Sequence, residues 1–371
     1  MQTFQPSIIV GSYSWDEERV PRDEFQLRRR ELDHAMDEHG WKAMLVFGDA
    51  REHAALAYYT NFVPRLRWAV AILPRGGEPL LLCSNSSRDM PSMKVMTWIG
   101  DVQSGWEWGK NFDPYLAKLE LGDTADFGII GGDLMNPVIA RQLGASLGNR
   151  YRLVSADAMF QPGRSMRTRE ITLHREACAV TEAAASAMLA AWRDGKTPTQ
   201  AVIAAERHAR MAAAQDVRTL VSADNGRTLA PADGSPRGDG FLGYIAVKFL
   251  GFWSELFVSD GSALLPIARK GLDAAVAAFQ PDMTGTAVHA KATAAMAPHT
   301  LHPMLSHSIG WRIGLSLDDG GHLDTNNNDV PPVGTVYAIH AGVQDKAGGA
   351  IRSAMVAMTA TGPQLLCRSP E

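Results

Sequence analysis

The chain has 371 residues, 46% of them hydrophobic and 20% charged, a balance that excludes a disordered or fibrous polymer. At roughly 150 residues per domain, that length accommodates about two domains with separate cores. Its 36 Lys and Arg against 40 Asp and Glu leave a net charge of −4 without a long basic run, so neither nucleic acid nor a membrane surface is an expected partner.

Residues 1 to 25 are mixed and aperiodic and read as an arm. They lack the basic start and apolar core of a signal peptide, and no apolar stretch of about 18 residues occurs in the chain. Cys83, Cys178 and Cys367 lie far apart with no CxxC pair, which predicts reduced thiols and a cytoplasmic location. From Phe25 to His39, Leu27, Leu32 and Met36 recur at helical spacing and Gly40 supplies a stop. AMLVFGD predicts a buried strand; AYYTNFVP, RWAVAILP and PLLLC, around the turn RGGE, predict further strands in a hairpin pattern. FGIIGGD, a helical stretch to Leu147 and YRLVSAD continue the alternation, so residues 1–160 are expected to hold one mixed α/β domain. The composition then changes. Thr168 to Trp192 contains neither Gly nor Pro and is long enough for a helix of about seven turns, which places the start of a second domain, 161–371, just before it.

That second domain carries an internal repeat. Ala190-Ala191-Trp192 and Thr197-Pro198-Thr199 match Ala277-Ala278-Phe279 and Thr284-Gly285-Thr286 at a constant offset of 87 residues. In each copy a helix ends at an aromatic residue and a Thr in N-cap position opens a second, Ala-rich helix. GYIAVKFLGFWSELFV follows the first copy, and TVYAIHAGV with SAMVAMTATG follows the second. Two helix-helix-strand halves joined by hairpins predict an α+β domain with pseudo-twofold symmetry.

The run RTREITLHREAC from Arg167, the two Thr-x-Thr helix starts, the span from Gly238-Asp239 to Gly251-Phe252, and His307-Ser308-Ile309-Gly310 occur in that order. Together they resemble the creatinase, prolidase and aminopeptidase P family, over nearly the whole chain. The resemblance implies an N-terminal creatinase-like domain and a pita-bread catalytic domain. Metallopeptidases of that family bind two metal ions through two Asp, one His and two Glu. Carried onto this chain, those positions fall on Tyr244, Glu255, His307, His340, and Ser353 or Ala354. One carboxylate, two imidazoles and a phenol carry too little charge for two dications, although a single metal on His307, His340 and Glu255 is chemically open. GWRIGLSLDDGGH and AIHAGV are similar instead to the metal-free branch containing creatinase and ectoine hydrolase. That resemblance implies no metal or other cofactor, and cleavage of a carbon-nitrogen bond in a small non-peptide metabolite. It also places Arg227 near the position of creatinase's catalytic His.

The residues themselves carry both functional and structural readings. His307 opens a Gly-containing turn, where an imidazole suits acid or base work near neutrality, or hydrogen bonding within a core. His340 sits in an apolar strand and needs a partner if buried. Glu255 lies between Trp253 and Phe257, surroundings that favour proton transfer, unless it sits exposed on an edge strand. Tyr244 offers a phenol or simple packing. Arg227 and Arg352 would favour an anionic substrate, or serve in surface ion pairs. Arg65 and Arg67, in FVPRLRWAV, match the creatinase-like region that reaches over a partner's site, which implies a homodimer, though such arginines also stand simply solvated. The expected function is metal-independent hydrolysis of a small, polar, anionic carbon-nitrogen substrate, with His307 and Glu255 exchanging protons while His340 and Tyr244 orient substrate or water. A lyase using the same His or Glu as base, and a pseudoenzyme that keeps the fold for binding, are the alternatives.

Overall fold

The computed structural model describes residues 14–64, 66–119, 121–160, 164–222 and 224–371. The chain divides into two units, Met1–Pro162 and Gly163–Glu371. In the first unit the chain runs through α1 (Arg22–His39), β1 (Ala43–Asp49), α2 (Ala54–Thr60), β2 (Trp68–Pro74), β3 (Leu80–Cys83), α3 (Met90–Lys94), β4 (Asp101–Ser104), α4 (Trp108–Lys118), β5 (Ala125–Ile130), α5 (Pro137–Leu147) and β6 (Tyr151–Ser155). The strands form one sheet of order β4-β3-β2-β1-β5-β6, with β1 antiparallel to β2 and parallel to β5. Burial of β1 on both faces accounts for its unbroken apolar run.

AYYTNFVP departs from expectation, because Ala54–Thr60 is a helix rather than a strand. Its paired tyrosines favour a strand by propensity alone. Tertiary packing overrides that preference: Tyr58 and Tyr59 pack against Phe160, and the Arg28 guanidinium lies 4.3 Å from the Tyr58 ring centre.

The second unit contains α6 (Thr168–Arg193), α7 (Pro198–Met211), β7 (Asp216–Val221), β8 (Phe241–Phe249), β9 (Phe252–Asp260), α8 (Leu265–Ala278), α9 (Gly285–Met296), β10 (Thr300–Leu301), β11 (Gly310–Arg312), β12 (Val336–Gln344), β13 (Gly349–Thr359) and β14 (Gly362–Arg368). Its expected α+β, repeated layout is borne out. The helix hairpins α6–α7 and α8–α9 each open their second helix on a capping Thr, Thr197 bonded from the Gln200 N–H and Thr284 from the Ala287 N–H. The first hairpin and the β8–β9 hairpin share a core around Trp192, Ile245 and Trp253. The second packs on β12 and β13 around Phe279, Tyr337 and Ile339. Strands β7-β8-β9 form one sheet, and β10-β12-β13-β14, with β11 on β12, form another. Among the described residues no helix is long and apolar enough to cross a membrane.

The connection from β11 to β12 buries Asp319, whose Oδ1 has no hydrogen-bond partner. Burial pushes its carboxyl from 3.8 up to about 8, against the opposing pull of Ser316 and Arg312. The folded state therefore holds a proton that the unfolded chain releases, and this contribution to stability is lost as pH rises through that window. Asp319→Asn, which does not titrate, is expected to gain on the wild type between pH 5 and pH 8. Thermal unfolding at the two pH values checks it: a constant difference in Tm would show that Asp319 does not titrate there.

Candidate active site

Two strand pairs bring four polar side chains together. On the β8–β9 hairpin, Tyr244 lies opposite Phe257 and Glu255 opposite Ala246, so Tyr244 and Glu255 are diagonal neighbours on one face. The Tyr244 hydroxyl donates to Glu255 Oε2 at 2.5 Å. On β12 and β13, His340 and Ser353 are directly opposed, with His340 Nδ1 3.1 Å from Ser353 Oγ. The two pairs join where His340 Nε2 lies 3.1 Å from Glu255 Oε1. The result is a continuous hydrogen-bonded chain, Tyr244–Glu255–His340–Ser353.

Its interior is buried. Glu255 is 1% exposed, and His340 and Ser353 are fully buried, whereas Tyr244 is only partly covered. The rings of Trp311 and Phe257 flank the imidazole with centres 4.9 and 5.1 Å away. Donor and acceptor bookkeeping then orders the protons. Ser353 Oγ accepts the Phe257 N–H at 2.9 Å on one lone pair, and among the described contacts the acceptor its own hydrogen meets is His340 Nδ1. His340 accordingly carries its proton on Nε2 and donates to Glu255, leaving a carboxylate that accepts from both neighbours. Burial, and then the Glu255 charge, hold the Tyr244 hydroxyl well above the ordinary phenol range, so it remains a donor.

The other residues singled out in the sequence are placed differently. His307 is exposed, and no hydrogen bond joins it to Tyr244, Glu255 or His340. It does stand two residues beyond Leu305, which clusters with Leu242, Phe257 and Ile351, with Tyr244 and Leu229 against the same cluster. Arg227, exposed and two residues before Leu229, donates from Nε to the Asp224 carbonyl at 3.2 Å. Both stand two residues from members of the apolar cluster on which Tyr244 packs. Arg352 is turned elsewhere: it is 1% exposed and donates to the Pro370 and Ser369 carbonyls at 2.6 and 2.9 Å, which removes it from the substrate-facing set. Arg65 lies outside the described residues, and the Arg67 guanidinium sits 5.2 Å over the Trp106 ring in the first unit. Cavities of about 420 Å³ beside Ile203 and Met211 and about 610 Å³ around Arg312 and His322 are lined by none of the four chain members. Ser353 was marked in the sequence only as a lost ligand position, because its register against His340 is set by a hairpin 13 residues apart in sequence.

These donors do not fit the dinuclear centre that the family resemblance implies. Two divalent cations need several anionic oxygens, and the cluster offers one carboxylate with both oxygens already engaged by Tyr244 and His340. Nor, among the described residues, do three His, Cys, Asp or Glu side chains converge as a metal group, so the single-metal set of His307, His340 and Glu255 is not assembled.

Against known structures, the chain is similar to a prolidase from Pyrococcus horikoshii OT3, with a TM-score of 0.73 at 17% identity over 93% of this chain and 99% of that one. It is equally similar to an X-Pro aminopeptidase from Thermotoga maritima MSB8, with a TM-score of 0.73 at 17% identity, covering 92% and 98%. An Xaa-Pro dipeptidase from Bacillus anthracis follows at 0.71 and 16% identity, covering 94% and 98%. No curated protein sequence matches the chain. The likeness to these structures establishes the pita-bread fold. The sequence profile of metallopeptidase family M24 matches residues 172–360, just over half of the chain and the whole region that supplies the four-residue cluster. A chain with this fold and this match belongs to metallopeptidase family M24, a family of peptidase-like hydrolases.

Proposed function

We propose that this protein is a metal-independent hydrolase that cleaves a carbon-nitrogen bond in a small, polar, anionic, non-peptide metabolite. The observation that carries the proposal is the hydrogen-bonded chain Tyr244–Glu255–His340–Ser353, which we read onto the family's metal-ligand positions, with Glu255 as the one carboxylate among proton-donating groups. Tyr244, the partly exposed member, presents its phenol oxygen to the substrate as an acceptor while its own hydrogen is directed at Glu255, and Glu255 with His340 behind it takes up and returns that proton. His307, exposed on the neighbouring segment, accepts the proton of the attacking water and returns it to the leaving nitrogen. One carbon-oxygen bond forms and one carbon-nitrogen bond breaks. Arg227, two residues from Leu229 of the cluster on which Tyr244 packs, favours an anionic group on the substrate.

Two measurements test this reading. Purified protein is expected to hold no stoichiometric transition metal by elemental analysis, and its turnover to survive a chelator. About two metals per chain, with activity lost to chelation and restored by metal, would overturn it. Turnover in oxygen-18 water is expected to place one labelled oxygen in the product; unlabelled product would indicate elimination.

A second reading, a pseudoenzyme that binds without turning over, draws on one observation, the burial of Glu255 and His340 to 1% or less exposure. Saturable binding of a ligand recovered unchanged would favour it.

A further inference from the structure

The proton order along this chain depends on a brace outside it. Phe257 lies on β9 and Ser353 on β13, strands of two different sheets, so no ladder of backbone hydrogen bonds keeps them in register. Ser369, just beyond β14 and 1% exposed, fills that gap. Its Oγ accepts the Ser353 N–H at 2.7 Å and donates to the Phe257 carbonyl at 2.7 Å, while its N–H donates to the Ser353 carbonyl at 2.9 Å. Arg352 in turn holds the carbonyls of Ser369 and Pro370, and Arg269 pairs with Glu371 at 3.1 Å.

We infer that Ser369 is a positioning residue of the site. By fastening the Phe257 carbonyl to the Ser353 backbone, it aims the Phe257 N–H at Ser353 Oγ. That contact takes one lone pair of the hydroxyl and fixes its orientation, with its hydrogen directed to His340 Nδ1. Ser369 thereby holds His340 as the Nε2–H tautomer facing Glu255, although it touches neither residue. The role assigned to it rests on reading the hydrogen-bonded chain as the working site.

A second serine on the same strands supplies the control. Ser259 Oγ donates to the Ile351 carbonyl at 2.9 Å and accepts the Ile351 N–H at 3.0 Å, joining β9 to β13 two residues further along. It braces the sheets without orienting Ser353. Loss of Ser369 is therefore expected to leave the fold standing.

The test is nitrogen-15 NMR of the histidine rings in full-length protein, which distinguishes protonated from unprotonated Nδ1 and needs no substrate. In the wild type, His340 is expected to show an unprotonated Nδ1. In Ser369→Ala the Nδ1–H form is expected to rise from a minor species to at least half, with Ser369→Thr, which keeps a hydroxyl, restoring the wild-type signal. Ser259→Ala is expected to lower Tm without moving that signal. A folded Ser369→Ala protein with an unchanged His340 signal, or an equal shift in Ser259→Ala, would overturn the inference. If Ser369→Ala does not fold, Ser369→Cys, with its weak S–H donor, is judged by the same criterion. An intact tautomer effect in a protein without turnover would uphold the role of Ser369 and count only against the hydrolase reading.

Discussion

Glu255→Gln is expected to lower turnover by roughly a hundredfold to ten-thousandfold, the usual loss on removing a proton-transfer group. The shape is kept, but the hydrogen bonding is not. The wild-type carboxylate accepts from Tyr244 on one oxygen and from His340 on the other. An amide has a single acceptor oxygen; with that oxygen turned to the His340 N–H, its NH2 faces the Tyr244 oxygen, which can accept only by turning its own hydrogen away from residue 255. In the opposite orientation His340 must take the other tautomer, which leaves the Ser353 hydrogen without an acceptor in a fully buried site. In either orientation the hydrogen bonds to a charged carboxylate are lost, and such bonds contribute about 1.5–3 kcal/mol, so a lowered Tm is expected beside the lost turnover. Thermal unfolding is measurable at once and turnover when the substrate is found. Near wild-type turnover in a folded variant would remove Glu255 from the mechanism, and an unchanged Tm would contradict the proton order described above.

A loss of stability on acidification is expected from His174 rather than from the candidate site. This residue of α6 is fully buried, stacks on Phe252, and donates from Nε2 to the Trp253 carbonyl at 2.8 Å, while Nδ1 has no partner. Burial lowers its pKa from 6.5 to about 4, against the opposing effect of the Trp253 hydrogen bond. Between these values the unfolded chain takes up a proton that the folded chain refuses. The contribution is complete above pH 6.5 and is lost as pH falls toward 4, a change of about 3 kcal/mol at 1.36 kcal/mol per pKa unit. Asp319 acts in the opposite direction over much of this range, so the quantity to compare is the pH slope of stability in the wild type and in His174→Gln. The variant keeps a donor for Trp253 but does not titrate. A shallower acid loss is expected in the variant, and parallel slopes would show that His174 does not carry the effect.

Much of the fold was legible because its signals are local. A Gly- and Pro-free run marked α6, alternation and turn residues marked the β8–β9 and β12–β13 hairpins, and the repeated Thr caps marked the two helix pairs. The change of residue type at Tyr244, at His340 and at Ser353 or Ala354, with Glu255 kept as a carboxylate, was likewise readable, since a side chain's chemistry is a fact of residue type. The helix at Ala54–Thr60 was not, because its tyrosines are held by packing partners distant in sequence. The same reason separates the rest of the site. That Glu255 is buried rather than on an exposed edge depends on what covers β9, and that Arg352 faces the Ser369 and Pro370 carbonyls depends on where the chain returns after β14. Strand alternation alone cannot tell which face of β13 meets the site. Sequence by itself determined which groups are available to move protons; only the tertiary structure decided which of them meet, because contact across two sheets depends on register and burial, and neither is encoded by neighbouring residues.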